Sequence, residues 1–518
     1  MKKSCIRFFT VLAVVSIVFT GCKDDSNPFT GLRLSATKMI VDPDASTDIT
    51  ATYIVEDAAD NSVQITFSIS GDTSGGAYFG TAGTKTETVA SGGKTTLTMG
   101  GKNSGYVTVT ATCGETSAKM TLGTTVVISP DDVPIGYAGE GWTPFYDAEK
   151  VVTVSTKADL KTYAEKGGYT VYVDGMIDMS DGMLPSVNYD AAPSALDDFV
   201  NTNTGGTYTT YAAWKAAYGS VSTSTNDTGS GTLKSALYDT MRTLNSNYKK
   251  IIQLNIAAKT AIIGKGTGSG IKGAAIGVSK SHIVIRNLTI QDACDPFTHH
   301  ETTSKGASDG FNAQFDNIGI SGGNHVWIDH CTLEDTMRLV SASNGEKWQT
   351  YDGLCDITNT SSYVTVSNCI LRNHDKTMLI GNGSSDINGG HITLTENYFF
   401  GCGQRLPLAT YAEMHIFNNY YDGSGGFYSN SYCISGRYAT YTIIAENNNF
   451  RSVASPFASS SSGSSGMCYV SGNSGGSGDL STSSTKPFTV PYEYMLLSAE
   501  EVPAAVEKYT GAGKVSVK

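Results

Sequence analysis

Apolar residues in the second half of the chain recur in short paired groups. Six repeats start at Ile283, Val326, Val364, Ile392, Met414 and Ile443. Two residues on stand Ile285, Ile328, Val366, Leu394, Ile416 and Ala445. Five on stand Leu288, Cys331, Cys369, Asn397, Asn419 and Asn448, and seven on stand Ile290, Leu333, Leu371, Phe399, Tyr421 and Phe450. Steps of two are the alternation of a strand with one buried face, whereas five and seven are odd. The inward face therefore slips by one residue within each repeat, and a bend there joins two short strands. The distance between starts falls to 22 residues and stretches to 43. A minimal coil with loops of variable length on its circuit behaves this way, which is the pattern of a parallel β-helix. Coils stack ~4.8 Å apart, so each inward column becomes a ladder of like residues. Asn397, Asn419 and Asn448 can hydrogen-bond along the stack, and Cys331 lies over Cys369 in the same column.

Ahead of these coils, Val151–Val154 reads as a strand and Asp159 to Lys166 as a helix closed by Gly167-Gly168, after which Tyr169 to Val173 returns to strand. Residues 181–248 form an insertion without a clear period, with a helix expected from Thr232 to Leu244. From Leu32 to Val127 short runs such as 48–55 and 106–112 alternate apolar and polar residues between Gly-rich turns. They read as an antiparallel β-sandwich that resembles bacterial Ig-like modules, suited to binding carbohydrate or to spacing the next domain from a surface. The expected fold is all-β: a right-handed parallel β-helix preceded by a small antiparallel Ig-like β-sandwich. The expected boundaries are a leader at 1–21, a linker at 22–31, the sandwich at 32–127, a linker at 128–140 with Pro130 and Pro134, and the β-helix at 141–518. Ser498 and Glu501 are placed as a capping box for a C-terminal helix over the coils.

Lys2, Lys3 and Arg7 precede an apolar run from Phe8 to Phe19, the composition of an export leader. The run is shorter than the ~20 residues that a bilayer-crossing helix needs. Gly21-Cys22 resembles the lipobox of bacterial lipoproteins, which implies that Cys22 is lipidated and heads the mature chain. Lys23-Asp24-Asp25 resembles the acidic tag of surface lipoproteins and reads equally as a solvated linker. The expected location is the outer membrane, at the cell surface, with the lipid as the only membrane contact. Removing the three basic residues of the leader takes the formal charge from −12 to −15, which leaves no general basic face for nucleic acid. Of ten cysteines, eight lie beyond Cys22 and no pair has CxxC spacing. The repeat places several of them inside, so mostly buried thiols are expected.

The chemistry lies one strand earlier on each coil. Asp316 stands ten residues before Val326, Asp352 and Asp356 twelve and eight before Val364, and Arg405 nine before Met414. Lys376 leads into Thr377–Ile380 on the intervening coil. Five charged residues thus fall at similar angular positions in a groove of ~15 Å, with three carboxylates at one end and two cations at the other. Carboxylates this close raise one another's pKa unless a cation sits among them. An all-oxygen set without Cys or His suits a hard ion such as calcium, and the spacing suits a solvated acidic face equally well. Trp327, Asp329 and His330 read as braces of the coil, and His374 as a support for its loop. Gly264 to Gly270 lacks the order of a phosphate loop and reads as a turn. His299, His300 and Glu301 could ligate a metal but read better as a solvated loop.

The stretches Val326-Trp-Ile-Asp-His-Cys331, Asp352-Gly-Leu-Cys-Asp356, His374-Asp-Lys376 running to Gly381, and Arg405-Leu-Pro407 before His415 together resemble polysaccharide lyase family 1, the pectate lyases. The match in order and spacing covers roughly residues 140–510 and includes Thr260–Gly264 and Ile283–Leu288. The resemblance implies calcium-assisted β-elimination of polygalacturonate. It also implies calcium ligation by Asp316, Asp352 and Asp356, substrate carboxylate binding by Lys376 and proton abstraction by Arg405. A monomer acting on the pectin polymer is expected. The alternatives are a calcium-independent pectin lyase and a non-catalytic surface protein that binds pectin. One departure stands out: relatives commonly carry arginines three and five residues after the base, where this chain has Leu408 and Thr410. Weaker activity, tolerance of partly methylated pectin, or a substitute from Arg437 or Lys347 would follow.

Overall fold

The structure is a computed structural model. It describes residues 30–517 and Val18–Phe19, apart from 38–39, 42–43, 57, 73, 101–105, 125–126, 186–191, 220–235, 302–309, 338–348, 383–385, 387–388, 438–439, 460–465 and 476–481. Cys22, most of the leader and Lys347 lie outside the described residues. The chain divides into two units, Met1–Ser129 with Lys518, and Pro130–Val517.

In the first unit two sheets enclose a core of Leu32, Leu34, Ile49, Phe67, Phe79, Leu97, Val109 and Met120. The pairings are antiparallel, as expected of a sandwich, except that Ile40–Val41 runs parallel to the end of Thr116–Thr124. Alternating buried and half-buried positions along Ser46–Val55 account for the polar–apolar rhythm of that segment.

The second unit is the parallel β-helix. Among the described residues its coils build three parallel sheets of eleven, eight and eight strands. The six repeat starts lie in exact register, from Ile283 through Val326, Val364, Ile392 and Met414 to Ile443, and the column continues to Cys468. The slip of the inward face has a local cause. The fourth residue after each start is left-handed in all six coils: Asn287, His330, Asn368, Glu396, Asn418 and Asn447 have φ between 49° and 56°. Four of these six are asparagine, the residue type after glycine that tolerates this conformation best.

The ladder beside the bend is built from amide bonds that all run in one direction along the stack. Asn397 Nδ2 donates to Asn419 Oδ1 at 3.0 Å, Asn419 Nδ2 to Asn448 Oδ1 at 3.0 Å, and Asn448 Nδ2 to Asn473 Oδ1 at 2.9 Å, so the ladder runs one coil further than the repeat. Cys369 Sγ accepts from Cys331 N at 3.4 Å in the same column. The eight described cysteines carry free thiols, seven of them buried.

Helix α1, Lys157–Lys166, begins two residues ahead of its expected start, because Thr156 caps it by accepting from Asp159 N; Gly167, with φ 84°, ends it. The insertion holds more helix than its composition suggests: α2 (Ser194–Asn203), α3 (Tyr211–Tyr218) and α4 (Ala236–Ile252). They share an aromatic core in which Trp214, Tyr218, Tyr248 and Phe297 are fully buried. The expected linker at 128–140 is not free along its length. Tyr137 N and Ala138 N donate to Thr393 Oγ1 and Thr365 Oγ1 at 3.0 and 3.1 Å, which docks this segment on the outer face of the long sheet. At the other end α5, Val502–Tyr509, packs Val502 and Val506 on Tyr420. The expected capping box is half formed. The Glu501 carboxylate accepts from Ser498 N at 3.2 Å, but the Ser498 hydroxyl donates to that same carboxylate and caps no helix N–H.

Candidate active site

The site lies on the third parallel sheet, whose strands include Ile318–Ser321, Cys355–Thr358, Leu379–Ile380, Leu408–Ala409 and Ile434–Gly436. Asp356 pairs with Gly319 across two coils. Three residues earlier Gly353 bridges Lys376, and Lys376 bridges Gln404. Asp316, three residues before Gly319, therefore belongs beside Gly353. The five charged residues predicted from spacing do share one strip of the surface.

Their arrangement differs from the expected sorting into an acidic and a basic end. Lys376 Nζ lies 2.6 Å from Asp352 Oδ1 and 3.1 Å from Asn312 Oδ1, so one cation sits among the carboxylates. Asp316 accepts from Gly353 N at 2.8 Å, and Asp356 accepts from Leu379 N at 2.9 Å. Burial, and then the charge of Asp352, pushes the Asp316 carboxyl up to about 6. Burial followed by the charges of Asp316 and Asp352 pushes Asp356 well above the usual carboxylate range. Space is tight at this point: a Cβ on Gly353 would stand 2.5 Å from the Asp356 carboxylate three residues on, so a larger residue there would push that carboxylate aside. Among the described residues no three His, Cys, Asp or Glu side chains converge closely enough to hold a metal ion, so the expected ligand set of Asp316, Asp352 and Asp356 is not drawn together here. The aspartates instead line an open wall within electrostatic reach of one another.

Arg405 occupies the next coil with a left-handed backbone, φ 61°. Its Nε is buried without a hydrogen-bond partner, while its guanidinium bonds the Tyr432 hydroxyl, which also donates to Gln404 Oε1 at 3.0 Å. Leu408 and Ala409 pair with Ser435 and Gly436, so Thr410 stands opposite Arg437 on the following coil. Arg437 is a second cation acting on Tyr432.

The supporting residues are as expected in part. His374 donates from Nδ1 to Asp335 at 2.7 Å and from Nε2 to the carbonyl of Asp352 at 2.9 Å, which ties its turn to the acidic wall. Asp329 and His330 are buried, and the Arg286 guanidinium lies 4.1 Å over the Trp327 ring. Gly264 to Gly270 is a turn between strands. His299–Glu301, expected as a solvated loop, is a strand paired with Gly310–Asn312, and His300 is buried against Phe311. Asn312 was missed by sequence reasoning because it belongs to no repeat; its only sequence signal is its place four residues before Asp316.

The second unit is thus of the parallel β-helix class, with a strip of opposed charges along one of its three sheets. The pectate lyase family model matches residues 213–515, and the chain belongs to that family. Pectate lyase of Bacillus subtilis (strain 168) is 37% identical over 211 residues, covering 39% of this chain and 50% of the relative. Pectate trisaccharide-lyase of Bacillus licheniformis is 31% identical over 291 residues, covering 55% of this chain and 75% of the relative. The chain spans about half the length of the first curated relatives that it matches. A mutant pectate lyase of Bacillus subtilis superposes with a TM-score of 0.59 at 25% identity, covering 76% of this chain and 99% of that one. A pectate lyase bound to hexasaccharide gives 0.57 at 25% identity, with the same coverage.

Proposed function

We propose that the chain is a pectate lyase that cleaves polygalacturonate by β-elimination with calcium as cofactor. The observation that carries this reading is the strip of Asp316, Asp352, Asp356, Lys376 and Arg405 on adjacent coils, in a chain of this family. The C5 hydrogen of a galacturonate unit is weakly acidic because the neighbouring carboxylate is already negative. A catalyst has to offset that charge as the C–H bond breaks. Asp316, Asp352 and Asp356 would hold the ion, whose chemistry is to neutralise the uronate carboxylate as a Lewis acid. The donor set fits a hard ion: all its groups are oxygens, the set is open, and two of its members sit in a field that a cation relieves.

Lys376 adds a fixed positive charge at the same wall. Arg405 in its neutral form accepts the C5 proton, the C–H electron pair forms the C4–C5 double bond, and the C4–O pair leaves with the oxygen, which takes a proton from water as the sugar chain beyond it is released. A free guanidinium keeps its proton to above about pH 12, so alkaline solution favours such a base. The test is the absorbance of unsaturated product from polygalacturonate, with calcium and with a chelator. Product in calcium and at least a hundredfold loss in chelator are expected. An undiminished rate in chelator favours a pectin lyase, and binding without product favours a pectin-binding protein.

Arg437 takes over the charge absent at Leu408 and Thr410, supported by its place opposite Thr410. Arg437→Ala is expected to raise KM for polygalacturonate about tenfold, the effect of one lost charge-assisted contact of ~1.4 kcal/mol, with a smaller change in kcat. An unchanged KM assigns the charge elsewhere. The leader composition supports anchoring of the mature chain to the outer membrane through Cys22. Cys22→Ser is expected to move the protein from the detergent phase to the aqueous phase on partitioning, and retention with the detergent removes the anchor from that residue.

A further inference from the structure

The helical insertion grips the loop that carries two residues of the cleft. Asn245 on α4 is buried and donates Nδ2 to both carboxylate oxygens of Asp295 at 3.1 Å and to Phe297 O at 3.1 Å. Asp295, fully buried, accepts from Phe297 N at 2.9 Å and from Gln314 N at 3.0 Å, and its own N–H donates to Thr350 O at 2.8 Å. Gln314 lies midway between Asn312, which takes Lys376 Nζ, and Asp316. Aromatic contacts hold the same loop on either side of Gln314. Phe311 stands edge-on to Tyr218 of α3 at 5.3 Å, and Phe315 lies against Tyr248 of α4 at 6.1 Å.

A carboxylate removed from water is costly unless its oxygens are hydrogen-bonded. Here every donor to Asp295 that has been named comes from α4 or from the backbone that leads to the cleft. The arrangement ties the loop to a helix as well as to the next coil, where Phe311 O accepts from Gln349 N at 2.6 Å and Asp316 accepts from Gly353 N at 2.8 Å.

We propose that Asn245 and Asp295 are positioning residues that act through the Gln314 backbone, setting Asn312 against Lys376 and Asp316 into the wall that holds the cation. The proposal rests on the lyase reading above. Removing outer groups that orient metal ligands typically costs 10–100-fold in affinity or activity. In the full-length chain, Asn245→Leu keeps the branched outline and removes the donor, and Asp295→Asn keeps the shape and turns an amide toward backbone N–H groups. Both are expected to weaken calcium binding to the metal-free protein about tenfold by calorimetry, to lower kcat more than they raise KM, and to speed amide exchange at 312–316.

Leu196→Ala, which opens a cavity in the same aromatic core, is the comparison. It is expected to lower the melting temperature and leave calcium affinity unchanged below it. Wild-type affinity and kcat in both folded variants, or an equal loss of affinity in Leu196→Ala, overturn the proposal. If the wild-type chain neither binds calcium nor releases product, the lyase reading falls. Amide exchange then still decides the positioning role, and unchanged exchange at 312–316 in both variants overturns it.

Discussion

Arg405→Ala is expected to lower kcat on polygalacturonate about 10³-fold, within the 10²–10⁴ that a positioned proton acceptor contributes, while affinity for the polymer changes far less. The backbone supports this role. Arg405 holds a left-handed conformation that costs a residue with a Cβ about 1–2 kcal/mol, and the bends of the neighbouring coils favour asparagine for that conformation. A long cationic side chain there serves the surface strip better than it serves stability. Tyr432, itself bonded to Gln404 Oε1, braces the guanidinium from one side, and the buried Nε has no partner. Arg405→Lys separates two contributions, because lysine keeps the charge but lacks the planar fork. Its KM is expected to stay near wild type while kcat remains low. Steady-state rates of unsaturated product formation give both numbers, and a kcat for Arg405→Ala within tenfold of wild type removes Arg405 from the proton step.

The parts of the fold that repeat were legible, because stacking turns one residue's environment into a column. The odd steps of five and seven required a bend, and the left-handed residue is there in every repeat. Asparagine at Asn287, Asn368, Asn418 and Asn447 was a signal for it that went unread. The charged strip was legible for the same reason: Asp316, Asp352, Asp356 and Arg405 stand eight to twelve residues before the next repeat, and Lys376 leads into the strand of the coil between them. What the pattern did not give is direction. Side chains as long as lysine reach across a coil, and Lys376 crosses to Asp352 instead of standing apart with Arg405.

The insertion was opaque for a different reason. Its helices bury tyrosines and a tryptophan against residues far away in sequence, such as Phe297 and Phe311, so its apolar positions are set by a partner that periodicity does not reveal. The docking of Tyr137 and Ala138 on threonines of the long sheet was invisible likewise, since backbone donors leave no trace in side-chain pattern.

Asp329→Ala is expected to destabilise the β-helix by about 3–5 kcal/mol, the cost of stripping a buried charge of its partner. The Arg286 guanidinium is 2% exposed, and Asp329 takes its Nε at 2.9 Å. The same carboxylate accepts from His330 Nδ1 at 2.8 Å, Ser367 Oγ at 2.8 Å and Asn368 Nδ2 at 3.2 Å, and the alanine variant leaves all of them short of an acceptor. Asp132, 2.6 Å from the guanidinium on its other side, would remain as a single half-exposed counter-charge. Burial alone would push the Asp329 carboxyl up, but the charges of His330 and Arg286 and the hydrogen bonds outweigh it and hold the group well below the usual carboxylate range. A folded-state pKa that is depressed contributes stability in full above the unfolded value of about 3.9, and the contribution fades as the pH falls below it. The gap in melting temperature between wild type and Asp329→Ala should therefore be constant from neutral pH to about pH 5 and narrow toward pH 3. Asp329→Asn, which keeps one acceptor oxygen without the charge, should fall between the two. Thermal unfolding followed by circular dichroism across that range measures the gap, and equal melting temperatures at neutral pH would remove the ion pair from any part in holding the coils together.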